Sequence, residues 1–321
     1  MNENPIFGDA PSRKIPEPRD GRNLFFGVLV GVVTAIAFGL GGFFLIRDES
    51  GSMGWVLFLC LPAVTGFATA LVAKSRNIAL ASVIVALIFC TVFLLIVGLE
   101  GFVCVIMSSP LIAAGLAIGG LLGWQLRTWV IDKSSGSPYL TFIMLLVLPL
   151  FLMGANSAER ESRRTLRAQT VTDVRTLNAS PESVWNELKS MDHIDANRPF
   201  LMKIGLPVPV SCKTEGEGVG GKRTCYFESG YIEEKITEWN PPTSMKFEIT
   251  ASDVPGRPWL TFKDAGYEIK QEQGRTTVTR STTIVSRLSP AWYWQRLEAL
   301  GVHTEHKYLF EALEKRFPAA K

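Results

Sequence analysis

Five long runs of apolar residues fill the first half of the chain. They cover residues 24–46, 54–73, 78–98, 101–124 and 139–155, and none of them contains a charged residue. A helix needs about 20 apolar residues to cross the roughly 30 Å hydrocarbon core of a bilayer. The pattern therefore predicts a bundle of five membrane-spanning helices, of which the last is the shortest. Because no charge interrupts the runs, we interpret the bundle as an anchor or scaffold and not as an ion path.

The fourth run carries a pattern of small residues typical of closely packed membrane helices. Gly115, Gly119, Gly120 and Gly123 give two overlapping small-xxx-small spacings. Glycine lets two helix backbones approach closely, because it has no side chain to hold them apart. The spacing thus permits tight packing of the fourth helix against a neighbour.

Lys and Arg in the short loops predict the orientation of the bundle, since such residues accumulate on the cytoplasmic side. The N-terminus is therefore expected in the cytoplasm, and five spans then place the C-terminal region outside it. Four arginines directly after the fifth run oppose this placement, although large domains can translocate despite such charge. The basic residues counted are Arg13, Lys14, Arg19, Arg22, Lys74, Arg76, Arg127 and Lys133 on the inner side, Arg47 on the outer side, and Arg160, Arg163, Arg164 and Arg167 after the fifth run.

In the second half of the chain, the spacing of apolar residues becomes typical of β-strands and amphipathic helices. A strand is predicted at 170–177, and a helix after it begins with Ser180 as N-cap and Pro181 in its first turn. Further strands are predicted at 222–232, 234–239, 244–249, 259–269 and 275–287, and a long helix at 290–317. This order predicts an α+β domain whose antiparallel sheet packs around the C-terminal helix. The expected organisation is an arm (1–23), a membrane domain (24–156), a connector (157–169) and this domain (170–318).

Short segments of the second half resemble a known family. The segments are ASPESVW at 179–185, GYI at 230–232, ITEWNPP at 236–242 and MKF at 245–247. They resemble the START-like superfamily (SRPBCC), and within it the polyketide cyclase/dehydrase and lipid-transport group. The resemblance implies a helix-grip domain whose hydrophobic cavity binds a lipid, a polyketide or a quinone-like molecule. Fused to membrane helices, such a domain is expected to take its ligand from the bilayer or deliver it there.

Aromatic side chains are the candidate ligand contacts, because binding pockets are mostly apolar. Alternate strand residues face opposite sides, so part of the set is expected in the packed core. The residues around Trp294 have a second interpretation as a contact with the membrane interface. Membrane lipids and an apolar small molecule are the expected partners, with no cofactor and no metal. A net charge of +3 without a basic cluster argues against nucleic acid. The predicted ligand-binding residues are Trp185, Phe227, Tyr231, Trp239, Phe247, Tyr267 and Trp294.

Two other functions remain open at this point. The same cavity would serve a cyclase, hydratase or hydrolase if an acid/base pair faced it, and the candidates are Asp192 with His193, Glu228 and Arg280. The third possibility is a collapsed domain that binds another protein through an exposed apolar patch.

Three further patterns have simple interpretations. Residues 216–222 (GEGVGGK) approach a phosphate-binding loop, but Arg223 and a predicted strand follow the lysine, so we expect a flexible hairpin loop. His303 and His306 lack the spacing of a zinc helix and are expected at the surface. Cys212 and Cys225 flank the glycine-rich loop and form either a disulfide bond or two reduced thiols.

Overall fold

The computed structural model describes residues 21–46, 53–96, 102–131, 138–163, 166–254, 260–272 and 274–318. They form a helical region (residues 21–163) and a sheet domain (residues 166–318). The helical region contains α1 Gly21–Ile46, a π-helical turn Val56–Cys60 that continues into α2 Leu61–Val72, α3 Arg76–Ile96, α4 Phe102–Leu126 with a π-helical extension Arg127–Ile131, and α5 Pro138–Arg163.

Four of these helices are long and apolar enough to cross a membrane, so the count of five spans is not matched. The four are α1, α3, α4 and α5. The second predicted span folds as the apolar helix Val56–Val72. At 1.5 Å per residue this helix is about 25 Å long, which is shorter than a typical hydrocarbon core. The last run, predicted as the shortest, is instead extended by polar residues as far as Arg163.

The polar end of α5 holds the start of α2 in place. The Glu159 carboxylate accepts hydrogen bonds from the backbone N–H groups of Trp55 (2.6 Å) and Val56 (3.3 Å). A carboxylate at a helix N-terminus satisfies unpaired N–H groups and is favoured by the helix dipole. Gly54 makes this approach possible, because a Cβ there would lie 2.1 Å from a Glu159 oxygen.

Glycines of α4 allow it to pack backbone-to-backbone against α2, as their spacing permits. A Cβ at Gly119 would lie 1.8 Å from the carbonyl oxygen of Ala63, and Gly115 and Gly123 lie similarly close to the α2 chain. Gly120 faces away, with nothing within 4 Å of a Cβ built there. Both spacings, Gly115 to Gly119 and Gly119 to Gly123, are therefore used in this contact, and Gly120 is not.

The sheet domain contains seven antiparallel strands in the order β1-β7-β6-β5-β4-β3-β2 and a long C-terminal helix, which confirms the predicted α+β class. Strands had been predicted at 222–232 and 234–239, so the boundary between β3 and β4 was placed too far along the chain, and β2 was missed. Strand β4 begins at Gly230, whose φ is +104°. The elements are β1 Arg167–Leu177, α6 Pro181–Lys189, α7 Phe200–Lys203, β2 Pro209–Glu215, β3 Lys222–Phe227, β4 Gly230–Asn240, β5 Ser244–Ser252, β6 Leu260–Glu272, β7 Arg275–Ser286 and α8 Ala291–Arg316.

Helix α6 begins as its sequence predicts. The Ser180 hydroxyl accepts a hydrogen bond from the Ser183 backbone N–H (3.2 Å). Val184, Trp185 and Leu188 share one face of α6 and are buried against the sheet. The C-terminal half of α8 packs into the same core, so one end of the sheet has a dense interior.

The glycine-rich segment connects β2 to β3, and a disulfide bond joins these strands behind it. Cys212 and Cys225 are register partners on β2 and β3, and their Sγ atoms are bonded. Lys222, which follows the glycines, begins a strand and not a helix. The connection is therefore a hairpin loop and has no helix N-terminus to bind a phosphate.

The first turn of α8 fastens the sheet domain to the helical region. The ring of Trp294 packs on Phe58 with 4.7 Å between centroids, and the Tyr293 hydroxyl donates to the carbonyl oxygen of Met107 on α4. The Ser289 backbone N–H donates to the Met53 carbonyl oxygen (3.0 Å). Trp294 is buried, so the two regions share a continuous apolar contact at this seam.

Candidate functional site

A cavity of about 1020 Å³ lies across the seam and is lined by both regions. Its wall in the helical region comes from α1, α2, α3 and α4, and its wall in the sheet domain comes from the sheet and the N-terminal half of α8. Gly301 lies in that half of α8, and a Cβ there would meet only Leu206 at 3.7 Å. The missing side chain of Gly301 therefore leaves open space between α8 and the facing loop.

Two of the seven predicted ligand-binding residues line this cavity, namely Phe227 and Trp294. The others lie elsewhere because the sheet has two zones, a packed core toward α6 and a cavity toward the helical region. Side-chain alternation predicts which face a residue joins but not which zone. Trp185 and Trp239 contact each other edge-to-face at 4.9 Å in the core, Phe247 and Tyr267 lie in the same core, and Tyr231 is partly exposed.

Five charged residues of the sheet domain line the cavity. Glu298 is paired with Arg167, outside the lining. We call the other four the charge cluster: Arg223, Glu234, Arg280 and Glu305. Arg223 on β3 pairs with Glu234 on β4 at 2.5 Å. Arg280 on β7 binds both carboxylate oxygens of Glu305 on α8, at 2.9 and 3.0 Å. The cluster therefore carries two positive and two negative charges and is balanced.

Burial governs the chemistry of the charge cluster. It raises the pKa of Glu305 above its usual value, and the neighbouring Arg280 opposes this rise. The Arg223 guanidinium lies 4.7 Å from the Phe247 ring centroid. The Nε atoms of both arginines are buried and have no hydrogen-bond partner among the described residues. Each guanidinium thus has donor capacity left after its ion pair is formed.

Sequence reasoning had considered only Arg280 from this cluster, as a candidate catalytic residue. The inward direction of Arg280 was predictable from β7, because Arg280 lies two residues from Val278 and two from Thr282, and these three residues share the inward face of the strand. Arg223, Glu234 and Glu305 gave no such signal, because their inward direction follows from the hairpin register and from the angle of α8.

Asp192, His193 and Glu228, the other catalytic candidates, do not line the cavity. The His193 carbonyl oxygen accepts a hydrogen bond from Arg316 at the end of α8. Glu228 forms an exposed ion pair with Arg198. These residues stabilise loop positions at the surface and offer no acid/base pair to a ligand in the cavity.

His306 is fully buried, so the expectation that it lies at the surface is wrong. Its Nδ1 lies 2.7 Å from Asp173 and its Nε2 2.8 Å from the Thr282 hydroxyl. His303, three residues earlier, is half-exposed and also contacts Asp173 at 2.7 Å. Among the described residues no group of three His, Cys, Asp or Glu side chains is arranged to hold a metal ion.

Thr282, His306 and Asp173 are arranged in the order of a nucleophile, a base and a carboxylate. Burial, aided by the positive charge of Arg280, lowers the pKa of His306 to about 3. An imidazole of such low basicity is a weak general base near neutral pH. The chain of hydrogen bonds is therefore better explained as a tie between α8 and the sheet than as catalytic machinery.

This low pKa predicts acid sensitivity. In the unfolded state the pKa of histidine is about 6.5, so between pH 6.5 and 3 the unfolded chain binds a proton that folded His306 does not. The free energy of unfolding should fall as pH falls through this window, by up to about 1.4 kcal/mol per pH unit. Thermal unfolding of the full chain in nanodiscs, followed by tryptophan fluorescence from pH 7.5 to 4.5, measures the slope. His306→Asn should flatten it, whereas the exposed neighbour variant His303→Asn should not; an unchanged slope in His306→Asn contradicts this account.

The comparisons with known proteins concern the sheet domain. Residues 168–312 match the family described as Polyketide cyclase / dehydrase and lipid transport. The match agrees with the resemblance noted for 179–185 and 230–247, and it covers less than half of the chain. No curated protein matches the chain.

Several solved structures are similar to the sheet domain. They include a protein from Nitrosospira multiformis (16% identity, 47% of this chain and 97% of that chain, TM-score 0.34), Ms6760 from Mycobacterium smegmatis (18%, 47% and 92%, 0.32) and XoxI from Bacillus cereus (17%, 47% and 96%, 0.33). Each covers less than half of this chain and is too distant to assign a ligand to it.

Proposed function

We propose that this chain is a membrane-anchored binding protein that holds a hydrophobic ligand for transfer or sensing at the bilayer. The observation that carries the proposal is the cavity shared by the apolar helices and the sheet domain. The family match of residues 168–312 supports a ligand-binding fold.

The shared wall has a physical advantage for a ligand that hardly dissolves in water. Ligand cavities usually enclose about 300–1,000 Å³, so a cavity of about 1020 Å³ is large enough for a long apolar molecule. Each Å² of apolar ligand surface removed from water stabilises binding by about 25 cal/mol. A cavity that begins among the helices lets a lipid enter without first crossing water.

Blocking the cavity at Gly301 tests the proposal. Gly301→Phe should fill the space between α8 and the loop at Leu206, whereas Gly301→Ala makes only an ordinary contact and serves as the matched control. Organic extraction of the purified full chain followed by mass spectrometry should recover an apolar molecule from the wild type and Gly301→Ala. Recovery from Gly301→Phe should fall at least about tenfold, as expected for a loss of 1.4 kcal/mol or more. Equal recovery from all three proteins, or none from the wild type, contradicts the proposal.

A cyclase-, hydratase- or hydrolase-type enzyme is a second candidate, and the raised pKa of Glu305 at the cavity wall favours it. A raised pKa lets a carboxyl group keep its proton to higher pH, which suits a general acid. In that case Glu305→Gln should bind the extracted molecule but leave it chemically unchanged, while the wild type converts it during incubation. Identical molecules recovered from both proteins remove the enzyme interpretation. The third candidate, a collapsed interaction module, agrees poorly with a cavity of this size.

The sheet domain is placed on the extracytoplasmic side in this proposal. The N-terminal end of the Val56–Val72 helix lies at Glu159, near the end of α5. Its C-terminal end lies at Arg127, after α4, and the Arg127 side chain donates to the Leu71 carbonyl oxygen (2.9 Å). This arrangement supports α2 as a short fifth crossing, and an odd number of crossings separates the two termini. The disulfide between Cys212 and Cys225 suits an oxidising compartment.

Thiol labelling in intact cells tests the side of the domain. In a variant with Cys60, Cys90 and Cys104 replaced by alanine, the remaining two thiols should resist a maleimide added before lysis and react only after reduction. Two thiols that label without reductant would place the sheet domain in a reducing compartment.

A further inference from the structure

The cavity has two chemically different ends. Helix α8 begins at the seam with Trp294, and Glu305 follows 11 residues later, about 16 Å further along the helix axis. The charge cluster therefore lies well inside the sheet domain. At the other end, the hydroxyls of Thr65 and Ser108 donate to carbonyl oxygens of their own helices, at 2.9 and 3.1 Å. Those two groups are already satisfied, so that end presents mainly apolar surface.

A ligand without polar atoms would fit the inner end poorly. The side chains of Arg280 and Glu305 retain 12% and 19% of their surface exposed, although both lie deep in the domain. Covering that surface with hydrocarbon would remove the remaining solvation of an ion pair, which is costly unless hydrogen bonds replace it. The ligand should therefore carry a polar group at this end.

The charge balance of the cluster decides what kind of polar group fits. Two arginines are already paired with two glutamates, so a ligand anion would meet two buried carboxylates as well as two guanidinium groups. A charged ligand of either sign would therefore add an uncompensated charge to a balanced site. A neutral group such as a hydroxyl or carbonyl can accept from a guanidinium, or donate to a carboxylate, without adding an uncompensated buried charge.

We propose that the ligand is a neutral amphiphile with a hydroxyl or carbonyl head that hydrogen-bonds the Arg280–Glu305 end of the cavity, and an apolar chain that extends toward α2 and α4. This inference rests on the proposed function and narrows its ligand class. It excludes phospholipids and fatty acids with an ionised head as the preferred occupants.

Three probes with the same C18 chain test the head group. Oleyl alcohol carries a neutral hydroxyl, oleyl sulfate a permanent anion, and 9-octadecene no head. Each is equilibrated with the full chain in nanodiscs, and the protein-bound amount is measured by native mass spectrometry, with Gly301→Phe as the background. Oleyl alcohol should bind about tenfold or more better than either other probe, as expected for one hydrogen bond to a charged group.

The outcomes separate this inference from the function on which it rests. If no probe binds above the background, the proposed function fails. If 9-octadecene binds as well as oleyl alcohol, the cavity is occupied but the head-group inference is wrong, and preferred binding of oleyl sulfate overturns it as well. The double variant Arg280→Met with Glu305→Leu keeps the remaining pair balanced and should reverse the preference toward 9-octadecene; an unchanged preference contradicts the inference.

Discussion

Replacing Arg223 with methionine should lower the free energy of unfolding by about 3–5 kcal/mol. Arg223 and Glu234 are both buried, with side-chain exposures of 3% and 8%. Removing the guanidinium leaves the buried Glu234 carboxylate without its paired counter-charge. Thermal unfolding of the full chain in nanodiscs, followed by tryptophan fluorescence, measures the loss.

Two control variants make this prediction specific. The double variant Arg223→Met with Glu234→Leu removes both charges and should recover most of the stability, because apolar side chains of similar volume often replace a buried pair without loss. Lys222→Met, at the adjacent position, breaks the exposed Lys222–Glu233 pair and should change stability little. A double variant as unstable as Arg223→Met would show that the side-chain shape, and not the unpaired charge, is responsible.

Gly119→Ala should disrupt the packing of α4 on α2. The new Cβ would lie 1.8 Å from the Ala63 carbonyl oxygen, which belongs to a helix backbone and cannot rotate away. Forcing atoms into a filled space costs about 1–3 kcal/mol, and a backbone clash lies at or above the upper end of this range. We therefore expect a large drop in the unfolding temperature. Because α2 and α4 also line the cavity, the amount of extracted ligand should fall too.

Gly120→Ala is the matched control for this variant. It adds the same methyl group to the same helix, one residue later, where nothing lies within 4 Å. In a helix alanine is preferred over glycine by about 1 kcal/mol, so Gly120→Ala should be as stable as the wild type or more stable. Equal unfolding temperatures for the two variants would contradict the glycine-mediated contact between α2 and α4.

The elements that the sequence predicted best are those whose pattern is long and regular. Strand β7 alternates over 12 residues, and α8 keeps Val302, Leu309 and Leu313 on one buried stripe. The start of α6 was predicted from the chemistry of Ser180 and Pro181, which acts locally. The boundary between β3 and β4 was predicted too far along the chain, since their two-residue turn lies inside a continuous run of strand-forming residues.

The helical region was predicted in outline but not in detail. An apolar run shows which residues avoid water, yet the length of a helix also depends on its ends. Gly54 lies outside α2 because Glu159 binds the N–H groups that follow it, whereas α5 gains two further turns from residues that favour helices. The Glu159 contact joins residues about 100 positions apart, which no local pattern contains. The extension of α5 is local, but it lies beyond the apolar run.

The candidate site could be predicted only as a kind of site. The resemblance implied a cavity, and Phe227 and Trp294 of the predicted set line one. Which other aromatic residues fill the core depends on where α6 and α8 cross the sheet. The charge cluster and the buried His306 arise from contacts between distant strands and α8, so residue types alone gave no reason to place them together.

An experimental density map of the full chain in lipid nanodiscs tests the central claim most directly. We expect an elongated density, not accounted for by protein, that begins among helices α1 to α4 and ends at the Arg280–Glu305 pair. A map in which side chains fill this space, or in which the sheet domain is detached from the seam at Trp294, would contradict the account.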